Sequence, residues 1–174
     1  MKAKGIWLAI FIFIIGVITG CNQKAEPVAI DEKNDKCDFC HMAVGNNQFA
    51  TELVLKNGKV LKFDDIGCMY QWMKEHKNET VEAMFVRDYE TNDWLEADQA
   101  TYVYDQTIRT PMAYNVISFK DEDKAKKFVE QHGGAVLTYN ELGRHTWERN
   151  KEMMMEMKKE HMKMEKQKGD HMGN

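Results

Sequence analysis

Two stretches of this chain lie over one another along a whole helical face, and that duplication limits the folds open to it. Setting Phe63 on Phe119 places Met69 on Ala125, Trp72 on Phe128, Met73 on Val129 and His76 on His132. Each helical stretch follows a pair of strand patterns. In the first copy Phe49–Leu55 alternates like a strand, turns at Asn57-Gly58, a strong hairpin signal, and returns as Val60–Phe63. Asp64-Asp65 offers a helix cap, and a strand at Ala83–Val86 follows the helix. The second copy reads as strand Thr101–Tyr104, strand Tyr114–Phe119, a helix from about Asp121 to a stop at Gly133-Gly134, and strand Ala135–Tyr139. The expected class is α+β, with two small strand–strand–helix–strand units spanning residues 37–98 and 99–142. His76 and His132 then face helix interiors as structural residues.

The start of the chain is of another kind. Lys2 and Lys4 precede an uncharged apolar run over residues 5–20, short for a membrane span but fitting the hydrophobic region of an export signal. It ends in Ile18-Thr19-Gly20-Cys21, the small-residue context in which a lipoprotein cysteine is acylated and the chain cut before it. The competing reading is an N-terminal membrane helix with an incidental cysteine. The expectation is a signal peptide over 1–20, a lipid on Cys21, a polar tether over 21–36, and a location on the extracytoplasmic face of the cell membrane. Several acyl chains on one cysteine anchor stably where one does not.

Lipidation of Cys21 leaves Cys37, Cys40 and Cys68. Outside the cytoplasm disulfides persist, yet an odd number of thiols cannot all pair within one molecule. The densest chemistry is Cys37-Asp38-Phe39-Cys40-His41-Met42, where two thiols, an imidazole and a thioether fall together. Three readings stand for it: a redox disulfide between Cys37 and Cys40; a structural zinc using Cys37, Cys40, Cys68 and a histidine; and a labile Cu(I) site, favoured because thiolates and thioethers select soft ions and the other two leave Met42 unexplained. Cys68 divides between core packing and function, and Met112, in Thr110-Pro111-Met112-Ala113, reads by itself as rim packing.

Residues 143–174 are polar and methionine-rich, holding seven of the thirteen methionines, with no Leu or Ile after Leu142. In a helix Met153, Met157, His161 and Met164 share a face. The segment reads as a helical or disordered tail that either collects copper or packs as a plain amphipathic helix. A formal net charge of −4, more acidic once Lys2 and Lys4 are removed, argues against nucleic acid. No serine–histidine–acid set, phosphate-cradling glycine loop or paired-carboxylate pocket stands out, so no enzyme is expected. Asp64-Asp65 reads as a cap, not as acid/base groups.

At these residues the chain resembles the NosL family of copper-chaperone lipoproteins of nitrous oxide reductase maturation. The likeness rests on the lipobox cysteine, Cys37-x-x-Cys40-x-Met42, the Asn57-Gly58 hairpin, Phe63-Asp64-Asp65-Ile66-Gly67-Cys68 and Thr110-Pro111-Met112-Ala113, over roughly residues 37–142. It implies two strand–strand–helix–strand units and one Cu(I) held by sulfur-rich ligands; in this chain the candidates are Cys37 and/or Cys40 with Met42 or Met112, and beside them Cys68 and the imidazole of His41. It further implies delivery to the copper–sulfide centre of nitrous oxide reductase or to its assembly proteins, with a copper exporter as donor. Met112 becomes a ligand on this resemblance. The chain departs from the family pattern at His41, where glycine is expected, and in its Met/His-rich tail.

Overall fold

A computed structural model describes residues 24–171, with side chains to Gln167; the expected export signal and the expected lipidation at Cys21 lie outside the described residues. The elements run β1 (Thr51–Leu55), β2 (Val60–Phe63), α1 (Ile66–Glu75), β3 (Val81–Arg87), β4 (Trp94–Glu96), a 3-10 turn (Ala97–Gln99), β5 (Thr101–Tyr104), β6 (Val116–Phe119), α2 (Glu122–His132), β7 (Ala135–Leu137), α3 (Tyr139–Leu142) and α4 (Lys151–His171). The class is α+β, as the patterning predicts.

The duplication is present in three dimensions. One antiparallel sheet has the order β2-β1-β3-β4 and the other β6-β5-β7, so each unit sets its first strand between its second and third. The registers agree as well: Thr51 faces Phe63 in one hairpin and Thr101 faces Phe119 in the other. Each helix is opened by an aspartate, Asp65 accepting from the Gly67 N–H and Asp121 from the Asp123 N–H, which satisfies a backbone donor the helix itself cannot. At the far ends His76 stacks on Trp72 at 4.1 Å and His132 tilts against Phe128 at 4.5 Å. Both histidines are exposed rather than turned inward as expected, because each lies at the end of its helix with its ring against its own aromatic neighbour.

Local expectations change in β6, β7 and β4, and the tail takes the helical of its two expected forms. β6 begins at Val116, not Tyr114, because Ala113 and Asn115 have positive φ of 55° and 63° and cannot extend the strand. β7 ends at Leu137 because Thr138 and Glu141 form a capping box that opens α3. β4 adds an edge to the first sheet. The tail is helical from Lys151.

β1 is buried on both faces. Beneath it lie Leu61, Phe63, Met69 and Trp72. On the other face the segment expected as a tether docks onto the sheet: Val28 N–H donates to Glu52 at 2.8 Å, and Lys62 Nζ reaches Ala29 O at 2.8 Å and Asp35 at 2.6 Å. The main core also takes Tyr102, Tyr114, Val116, Leu142 and Trp147 from the second half, so it closes over both units. A parallel bridge between Asp88 and Ser118 joins the two sheets. Among the described residues no helix is long and apolar enough to cross a membrane.

Candidate metal centre

Cys37 and Cys40 occupy a tight loop set by local hydrogen bonds. Cys37 N–H donates to Met42 O at 2.8 Å, His41 N–H to Cys37 O at 2.9 Å, and Lys36 pairs with Ala43. The turn needs a left-handed residue, and His41 supplies it at φ 63°. This position is where glycine is expected, because only glycine adopts that conformation without a Cβ penalty. The loop is fastened to β2, with Asp38 N–H donating to Lys62 O at 2.9 Å and Lys62 N–H returning to Asp38 Oδ2 at 2.9 Å.

That fastening brings the loop beside the end of β2, where Asp64 and then α1 follow. The Sγ atoms of Cys37, Cys40 and Cys68 and a carboxylate oxygen of Asp64 all lie within 4.8 Å of one another. Cys37 and Cys68 are fully buried, Asp64 nearly so, and Cys40 is part-exposed. The cluster therefore has one open side, at Cys40. All three cysteines are free thiols.

The electrostatics follow from crowding three sulfurs and a carboxylate into a half-dry corner. Cys40 and Cys68 both donate to Cys37, and these hydrogen bonds hold Cys37 as the thiolate, well below the ordinary thiol range. The same bonds push the Cys40 and Cys68 thiols up, since each would lose a donor role on ionising. Burial, with the neighbouring Cys37 charge second, raises Asp64 to about 7. Cys40 Sγ lies 3.3 Å from Asp64 Oδ1 and 3.4 Å from Oδ2.

Asp64 is the member that sequence reasoning missed. Two adjacent aspartates before a helix both read as caps, but one suffices, and Asp65 takes the role with Gly67 N–H at 2.9 Å. The second aspartate was thereby free for another use, which is the signal that could have found it.

The other expected site residues are placed as follows. Met112 is half-buried and packs against the core that contains Cys37 and Cys68. Its N–H donates to Asp65 Oδ2 at 3.0 Å, and its carbonyl accepts from Arg149 Nε at 2.9 Å. Met42 is tied to Cys37 through its backbone, while its side chain is 59% exposed. His41 is also exposed. The structure thus brings Cys37, Cys40 and Cys68 together with Asp64, and turns the Met42 and His41 side chains toward solvent.

Gly67 fixes how closely the two units approach. A Cβ there would fall 2.0 Å from Tyr114 Cγ, so the Tyr114 ring sits directly on the first turn of α1. Tyr114 in turn packs edge-on to Trp147 at 6.2 Å. The Ile66-Gly67-Cys68 and Thr110–Asn115 segments are in this way two sides of one contact.

A family model described as NosL matches residues 27–147. Among curated proteins the chain is 27% identical over 140 residues to the copper-binding lipoprotein NosL of Stutzerimonas stutzeri, covering 72% of this chain and 73% of that protein. Among solved structures it resembles the copper chaperone NosL from Shewanella denitrificans, with a TM-score of 0.60 and 22% identity over 67% of this chain and 94% of that one. The second likeness is one of fold.

Proposed function

Because the chain belongs to the NosL family, we propose that it is a copper(I) chaperone, tethered to the outer face of the membrane through a lipid on Cys21, that delivers its ion to nitrous oxide reductase for assembly of the copper–sulfide centre. The observation that carries this reading is the convergence of three sulfurs within 4.8 Å, one of them at the surface. Soft thiolates in that number suit Cu(I), and the pre-ionised Cys37 gives the ion a landing point before any proton has to leave. Cys37, Cys40 and Cys68 hold the ion, with Met112 as a thioether at the rim. Met42 and His41, both exposed, are placed to meet the ion as it enters or leaves beside Cys40. An incoming client ligand at that open side can exchange with Cys40 without free ion being released.

Lys24 and Val28 already contact the first sheet, through Glu96 and Glu52, which keeps the site near a lipid on Cys21 and so near the membrane where an exporter releases copper. Its role is carriage, not catalysis.

Complementation tests the delivery. In cells lacking this protein, the intact chain should restore copper-loaded reductase, and Cys37→Ser/Cys40→Ser should leave the reductase made but short of catalytic copper. Full copper loading with the double variant would overturn the reading. A structural zinc is the second reading, favoured by Asp64: three thiolates and a carboxylate would supply the four ligands that such a zinc takes. It predicts stoichiometric zinc in the protein as purified and unfolding on chelation.

A further inference from the structure

Helix α4 carries a row of soft donors that the cysteine cluster leaves unused. Met154, Met157, His161 and Met164 follow one another at spacings of three and four, along one edge of the helix. This edge runs on from the docked side of the helix. Met153 is buried, its sulfur accepting the Asn115 amide at 3.3 Å, and Glu160 pairs with Arg109 at 2.7 Å. Met154 and Met157 are half-buried beside that face, and His161 and Met164 are exposed. Of the expected row Met153 packs, while Met157, half-buried, and His161 and Met164, exposed, continue the line beyond it.

Packing does not account for these thioethers. Leucine serves an apolar contact as well, yet beyond Trp147 every large apolar side chain is methionine. The row also has a fixed starting point. Met154 Sδ lies 3.0 Å from an Arg149 guanidinium nitrogen, and the same nitrogen is 3.9 Å from Met112 Sδ. Met154 lines an open groove of about 820 Å³ with Gln71, Tyr114 and Trp147, its sulfur engaged by Arg149. At the other end His161 Nδ1 faces the Glu165 carboxylate at 3.7 Å, an orientation that leaves Nε2 as donor, as in many metal-bound histidines.

We propose that Met157, His161 and Met164 form a second soft-metal site, separate from the cysteine cluster, which takes Cu(I) through thioether sulfur and imidazole nitrogen. Thioethers carry no proton, so this site captures the ion without the proton release that thiols require. Lacking thiolate, it binds more weakly than the cysteines. One turn before it Met154 is joined through Arg149 to Met112, so the site acts as a loading arm for the cluster; that ordering rests on the copper reading above, whereas the second site does not.

The test is an anaerobic titration of the mature full-length protein with Ag(I), a redox-inert mimic of Cu(I), followed through methionine methyl resonances. After the tight site fills, the methyls of Met157 and Met164 should shift. Those of Met155 and Met162, 57% and 51% exposed but off the row, should not. The shifts should persist in Cys37→Ser/Cys40→Ser/Cys68→Ser. Met157→Leu/His161→Gln/Met164→Leu, which keeps good helix formers, should lose one weakly held equivalent and retain the tight one. Equal shifts at every exposed methionine, or unchanged stoichiometry in the α4 variant, would overturn the second site and leave the cluster untouched. A tight equivalent that survives the cysteine substitutions would instead remove the cluster reading.

Discussion

The Asp65 carboxylate joins Met112 to the helix that bears Cys68: Oδ2 accepts the Met112 N–H at 3.0 Å while Oδ1 caps α1 at Gly67 N–H, 2.9 Å away. One fully buried side chain thus sets the distance between the thioether of the second unit and the thiol of the first. Asp65→Asn keeps a capping oxygen, but its amide cannot accept from Met112. A buried donor left unpaired costs about 1–3 kcal/mol, and chemical denaturation should register a loss of that size. Copper(I) affinity should fall too, by less than on removal of a cysteine.

His41 stores strain. A non-glycine residue in the left-handed region costs about 1–2 kcal/mol. His41→Gly should raise stability by about 1 kcal/mol, since glycine's greater chain entropy takes back part of the gain. Denaturation of the metal-free protein measures this. Copper affinity of the same variant then reports whether the imidazole belongs to the ligand set.

Gly67→Ala should be costly despite the good helix propensity of alanine. The added methyl meets the Tyr114 ring at 2.0 Å, and displacing a buried ring costs about 1–3 kcal/mol. The variant should melt earlier, with Tyr114 and Trp147 more accessible by fluorescence quenching. Unchanged stability would mean that the units do not close as tightly as described.

Copper(I) binding should strengthen as pH rises. Hydrogen bonding to Cys37 keeps Cys40 and Cys68 protonated in the metal-free cluster, and ligation must displace those protons. Fewer protons at higher pH mean less competition, so affinity climbs with pH. Asp64, raised to about 7 by burial and the Cys37 charge, adds to the slope near neutrality by taking up a proton below that point. Asp64→Asn should flatten that part of the profile, measured by chelator competition at a series of pH values.

Much of the architecture was legible because period and duplication agree. Both aspartate caps, the Asn57-Gly58 turn and the histidine ends lie where matching Phe63 to Phe119 puts them. The convergence of Cys37 with Cys68 was not derivable from spacing, since it depends on Asp38 clasping Lys62 across the sheet. Asp64 was hidden behind Asp65, two identical residues with one obvious use. The Thr138–Glu141 capping box was readable and outweighed by the strand pattern before it. Side-chain direction was beyond reach at Met42, whose sequence neighbours are site residues but whose thioether points to solvent.

An anaerobic Cu(I) titration under a competing chelator tests the cysteine cluster most directly. One tightly held equivalent is expected for the intact mature chain, weakened by more than about 100-fold in Cys37→Ser/Cys40→Ser, beyond what loss of a supporting contact alone costs. Affinity in the double variant equal to that of the intact protein would contradict the account.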